Sequence, residues 1–217
     1  MTRGERVVIE GAEFTAFLTS GSGIGLLALH AGTEGGTAEL AEEVAARTGA
    51  SALVFAQPAG DPVHLPSHRM AVDHCAALRE FLASVTVVVS LHGHLRRETP
   101  RAVFLGGANR EAARVLGHEL TVHAPDFEAV TDLDAIPAGL RGLHPRNPVN
   151  LTADAGVQVE LPLGARTLRP GRVRGVPDLP PPSVTAALTA AVERLAARPP
   201  SPAHPGPGRD GTPGSGR

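Results

Sequence analysis

Residues Val85 to His94 read VTVVVSLHGH, and this stretch decides the fold. Val85 to Leu91 are the most hydrophobic and most β-branched run in the chain, so they are expected to form a buried strand that ends at His92. Outward from it, short apolar runs alternate with longer amphipathic ones. Ile24 to Leu29, Ala52 to Ala56, Ala102 to Leu105 and Gly156 to Leu161 read as further strands. In the last of these Gln158 and Glu160 share one face, and Val157, Val159 and Leu161 the other. Between the strands the spacing predicts four helices. They run from a Thr37 cap to about Arg47, from Met70 to Ala83 on the stripe Ala71, Cys75, Leu78 and Leu82, from Asn109 to Leu116, and from Val184 to Ala197. Strands joined by helical crossovers give an α/β fold, a three-layer sandwich around a mixed, mostly parallel sheet. Sites in such folds lie at the carboxyl ends of the strands.

Composition removes several chemistries. All 20 basic residues are arginine, so a Schiff-base or P-loop lysine is excluded. A single cysteine, Cys75, supports neither a disulfide framework nor a thiolate zinc site and reads as a small buried hydrophobe, which leaves His and carboxylate as metal donors. A formal charge of -2 with 3% aromatic residues argues against nucleic acid as a partner. Met1 to Glu13 lacks the continuous apolar core of a secretion signal, and no apolar run is long enough to cross a bilayer, so no membrane partner and a cytoplasmic location are expected. Residues 1–198 are expected to form one domain, followed by a disordered Pro/Gly-rich tail at 199–217. The oligomeric state is not readable.

Three titratable residues stand where apolar strands stop: His30 in LLALHAGTE, His92 in VVVSLHGH and Glu160 in GVQVEL. Glu34, four residues past His30 in a Gly-rich turn, can fold back beside it. Two His and one Glu form a catalytic zinc set with a fourth position open for water. Each residue also has an ordinary alternative. The histidines can be rim residues, Glu34 can belong to the acidic cluster before the Thr37 helix, and Glu160 can pair with an arginine. Spacing does not choose between these readings. His94 is expected to face away from His92 and is not counted as a ligand.

Five blocks in order, HAGTEGGTAELA (His30 to Ala41), SLHGH (Ser90 to His94), FLGGANR (Phe104 to Arg110), LRGLHPRNPVN (Leu140 to Asn150) and GVQVEL (Gly156 to Leu161), resemble the phage-type poly-γ-glutamate hydrolase family. The resemblance runs from about Gly21 to Leu168. It implies a zinc carboxypeptidase-like fold and cleavage of γ-glutamyl amide bonds with one zinc ion. It also implies His30, Glu34 and His92 as zinc ligands and Glu160 as general base and acid. The chain departs from the family in having one residue fewer between His30 and Glu34, where a positive φ at Gly32 is expected to let both side chains reach one ion. It departs again after Ser67, where His68 and Arg69 replace a Thr and an acidic pair. The best-known zinc carboxypeptidases use a mobile tyrosine, and this chain has none.

A substrate with a carboxylate on every unit calls for donors near the metal. Arg97 and Arg146 are the foremost candidates for substrate binding, with Asn147, Asn150 and His68 beside them. Their bland readings are solvated surface charge for the arginines and turn chemistry for the asparagines. Backbone N–H groups of Gly106-Gly107 can cradle an anion or simply form a tight turn. The expected function is a zinc-dependent amidohydrolase acting on poly-γ-glutamate or a related anionic peptide. Two alternatives are kept: a zinc carboxypeptidase or deacylase acting on a cell-wall peptide or N-acyl amino acid, and a non-catalytic module that binds anionic peptides.

Overall fold

The computed structural model describes residues 2–58, 60, 62–70, 72–169 and 177–198. The expected tail at 199–217 and Ala71 of the expected helical stripe lie outside the described residues. In chain order the elements are β1 (Thr2–Ile9), β2 (Ala12–Thr19), β3 (Ser22–Ala28), α1 (Thr37–Thr48), β4 (Ala50–Ala56), α2 (Ala76–Ser84), β5 (Val87–His94), β6 (Ala102–Leu105), α3 (Arg110–His123), β7 (Glu128–Val130), β8 (Gly156–Pro162), the single-turn α4 (Leu163–Arg166) and α5 (Pro182–Ala196). The strands form one sheet in the order β1-β2-β4-β3-β5-β8-β6-β7. Pairs within β4-β3-β5-β8 are parallel, as is β6-β7, while β1-β2, β2-β4 and β6-β8 are antiparallel. The mixed, mostly parallel sandwich follows the sequence pattern.

Alternation along the inner strands feeds two cores. Leu26, Val89, Leu91, Val157 and Val159 face α1, α3 and α5, which supply Leu40, Val44, Leu116, Leu120, Leu188 and Val192. On the other face Leu27, Leu53, Phe55 and Val88 meet Leu78 and Phe81 of α2. Helix α2 packs on β2, β3 and β4. Beyond its reach, the same face of β5 and β8 turns polar, with Ser90, His92, Gln158 and Glu160, and the loop at Pro148–Asn150 covers it instead. Among the described residues no helix is long and apolar enough to cross a membrane.

Several boundaries differ from expectation for local reasons. The β1-β2 hairpin was not anticipated; it turns on Glu10 (φ 51°) and Gly11 (φ 83°), the left-handed pair of a tight hairpin turn. Gly36 (φ 88°) caps α1, so Thr37 is the first helical residue and its hydroxyl donates to the Glu34 carbonyl at 2.8 Å. Helix α2 starts late because Cys75 is its cap: the buried Sγ accepts the Leu78 N–H at 3.4 Å. Asn109 caps α3 through Ala112 N–H, and that helix runs on to His123.

Gly156 opens β8 opposite Val88, where an added Cβ would fall on the Val88 carbonyl oxygen. Gly156→Ala should therefore destabilise the fold by about 3 kcal/mol. Guanidinium unfolding measures this; an unchanged midpoint would contradict the packing described.

Candidate metal centre

Strands β3, β5 and β8 are neighbours and parallel, so their carboxyl ends lie side by side. His92 pairs with Glu160 in register, which sets the two side chains next to each other on one face. Past the end of β3 the chain closes a single helical turn: Thr33 N–H and Glu34 N–H donate to the His30 carbonyl at 2.9 and 2.7 Å. That turn carries Glu34 back over His30. Positive φ occurs at Gly36 and not, as expected, at Gly32, because an i to i+4 bond closes the short turn with ordinary dihedrals.

The ring nitrogens converge. His30 Nδ1 lies 3.2 Å from Glu34 Oε1 and 3.1 Å from His92 Nδ1. Glu34 Oε2 is 3.5 Å from His92 Nδ1 and accepts the Gly93 N–H at 3.0 Å. His92 Nε2 and Ser90 Oγ are 2.9 Å apart; with Nε2–H donating, the Nδ1 lone pair stays free to face the cluster. A fourth group joins that sequence reasoning passed over. His64 Nε2 lies 3.4 Å from Glu34 Oε1, its ring 4.3 Å from that of His30. The signal for His64 was topological: it sits in the loop after β4, and β4 ends beside β3.

Electrostatics test whether a cation suits this cluster. Burial pushes Glu34 upward, but hydrogen bonds with His30, His64 and His92 outweigh it and hold the carboxyl far below its usual range. Burial lowers His30. For His92 burial acts downward too, yet the Glu34 hydrogen bond and the charges of Glu160 and Glu34 lift it above the ordinary imidazole value. A carboxylate thus sits against three imidazoles, a donor set from which a divalent cation displaces protons. Two Nδ1 atoms at 3.1 Å facing one carboxylate suit a cation better than a neutral core. His30, Glu34 and His64 also satisfy the spacing of a three-donor site.

Glu160 is buried beside the cluster, and burial raises its pKa, while His92 and a hydrogen bond from Gln158 act the other way. Gln158 Nε2 donates to Glu160 Oε1 at 2.8 Å, and Asn147 Nδ2 donates to Gln158 Oε1 at 2.8 Å. The three form a buried relay of amides ending on the carboxylate. Cluster and relay line a cleft of about 440 Å³, bounded on its other walls by Pro66 to His68, Ala138 to Leu140 and Gly142 to His144.

Other expected residues fall in two groups. His68 and Asn147 line the cleft, although Asn147 commits its amide to Gln158 and its Oδ1 to the Val149 N–H. Arg97, Arg146 and Asn150 are not brought to it. Both arginines are exposed, and Asn150 is held by Ala108 N–H and the carbonyls of Gly142 and His144. The Gly106 and Gly107 N–H groups donate to Gln158 and Arg141 carbonyls, so the turn reading holds there. His94 shares the face of His92, since β5 stays paired through His94 to Pro162; its ring is drawn off by Ala102 O at 2.9 Å and by Arg96 N–H. Arg166, not anticipated, is buried beneath the site. Its Nη1 donates to Gly35 O at 2.7 Å, and its guanidinium fills the space a Cβ on Gly93 would take.

The fold is shared with known proteins. A bacteriophage poly-gamma-glutamate hydrolase superposes with a TM-score of 0.67 at 21% identity over 89% of each chain. The zinc-free apo form of YNDL superposes at 0.64, with 23% identity over 84% of this chain and 88% of that one. A carboxypeptidase from Burkholderia mallei gives 0.52 at 11% identity, covering 90% of this chain and 63% of that one. At these identities the likeness is one of fold. No curated protein matches the chain. The family model for poly-gamma-glutamate hydrolase matches residues 9–169, and the chain therefore belongs to the poly-gamma-glutamate hydrolase family.

Proposed function

We propose that the protein is a zinc-dependent amidohydrolase that cleaves γ-glutamyl amide bonds in poly-γ-glutamate or a closely related anionic peptide. The observation that carries this reading is the convergence of His30 Nδ1, His92 Nδ1 and Glu34 within 3.1 to 3.5 Å, with Glu160 in register beside His92. His30, Glu34 and His92 would hold one zinc ion, and His64 Nε2 lies 3.4 Å from Glu34 Oε1. When bound, zinc polarises the amide carbonyl and lowers the pKa of water.

The remaining steps belong to the chain. Glu160 accepts the proton of the attacking water and delivers it to the departing amine nitrogen as the C–N bond breaks. A carboxyl whose pKa is raised by burial is suited to both halves of that transfer. Ser90 keeps the His92 ring in the orientation that offers Nδ1, and Gln158 with Asn147 keeps Glu160 turned toward the cluster.

Glu160→Gln should lower kcat on poly-γ-glutamate by about 10²- to 10⁴-fold while zinc content stays at one per chain. Chelation should abolish hydrolysis and added zinc restore it. Mass spectrometry of the products with elemental analysis checks both, and full turnover by the Gln variant or by the chelated protein would sink the proposal.

Gln158→Leu removes the hydrogen bond that favours the Glu160 carboxylate, so protonation takes over at a higher pH than before. The acid limb of the kcat/KM profile should shift upward, with a stability loss of about 1 to 3 kcal/mol because one Asn147 N–H and the Leu140 carbonyl lose Gln158 as partner. A limb that stays in place would separate Gln158 from Glu160.

A further inference from the structure

The donors of the cleft divide into those already engaged and those still free. His30, His64 and His92 crowd onto Glu34, and Asn147 and Gln158 are tied into the relay to Glu160. The lining contains no arginine. What it leaves is one wall formed by Ser67 and His68, from the 3₁₀ turn Ser67–Arg69, and by His144, from the loop before β8. Although distant in sequence, the His68 and His144 rings stack at 4.3 Å with planes 24° apart. His144 Nδ1 accepts the Arg146 backbone N–H at 3.1 Å, so its neutral ring carries the proton on Nε2, as a donor. Among the described residues, neither the Ser67 hydroxyl nor the His68 ring has a hydrogen-bond partner.

We infer that Ser67, His68 and His144 form a carboxylate subsite, which reads the α-carboxylate of a γ-glutamyl unit lying across the cleft. This deepens the hydrolase reading above and rests on it. A γ-linked chain presents one carboxylate per unit, and the donors at the inner end of the cleft are already engaged with Glu34 and Glu160. Two imidazoles and a hydroxyl from separate segments give convergent donors at its outer wall. An anion there also offsets the mutual repulsion along this edge. Desolvation, His68 and Arg146 all hold the His144 pKa below its ordinary value, and a bound carboxylate acts in the opposite direction.

The probe is a γ-linked glutamate pentamer, compared with a γ-linked isoglutamine pentamer in which every α-carboxylate is an amide. Calorimetry against the full-length, zinc-supplemented Glu160→Gln protein reads binding without turnover. That protein should bind the glutamate pentamer at least about tenfold more tightly than the amide pentamer. His68→Ala and His144→Ala should each raise the Kd for the glutamate pentamer about tenfold and leave the Kd for the amide pentamer unchanged. His144→Gln returns a terminal N–H and should recover most of the loss, which a purely structural role would not produce. Equal affinity for the two pentamers, unaltered affinity in the alanine variants, or no pentamer binding would each overturn the subsite. Failure of the wild-type protein to cleave poly-γ-glutamate, with the pentamer pattern intact, would overturn the hydrolase reading and leave the subsite standing.

Discussion

The site depends on a constraint of the backbone: β3, β5 and β8 are adjacent, parallel and in fixed register. Parallel strands lie about 4.8 Å apart. Residues at matching heights are therefore neighbours without any help from side-chain packing. His92 opposite Glu160 is one such pair, and the turn after β3 delivers His30 and Glu34 to the same end. A register slip of one residue would send Glu160 and Gln158 into the apolar core and Val159 into the cleft. The apolar alternation of Val157, Val159 and Leu161 against the α1, α3 and α5 layer guards against that slip. Packing on one face thus fixes chemistry on the other.

Electrostatics follow from the same placement. Three imidazoles share the carboxylate of Glu34, while Glu160, one strand away, is left with a neutral amide as its hydrogen-bond partner. Two carboxyl groups with β5 between their strands are driven in opposite directions, one toward permanent charge and the other toward a pKa at which a proton can move. Under the proposed function this division separates holding a cation from moving a proton. Arginine, abundant in the chain, is absent from the cleft lining, where five histidines stand instead.

Much of this was legible in the sequence, and the rest had identifiable reasons for being hidden. The inner strands could be read because continuous apolar, β-branched runs such as Val85 to Leu91 admit few other structures. His30, Glu34, His92 and Glu160 could be singled out because they stand where such runs stop. The β1-β2 hairpin was missed although Ala12 to Leu18 alternates buried and less buried residues, because charges in the partner strand masked the pattern. His64 has no periodicity around it; only the knowledge that β4 lies next to β3 brings its loop to Glu34. Arg97 and Arg146 looked suited to an anionic substrate by type alone. Type carries no direction, and both arginines are exposed away from the cleft lining.

Arg166 gives the architecture a temporal side. Its guanidinium lies against Gly93 and holds the Gly35 carbonyl, joining residues 131 positions apart in the chain. A ribosome makes His30, Glu34 and His92 long before it makes Glu160 and Arg166. The Arg166 contact to the loop bearing Glu34 therefore forms after those three side chains have been made, so a nascent chain carries them before it carries this brace. Glu160 and Arg166, close together in sequence, follow those three side chains out of the ribosome.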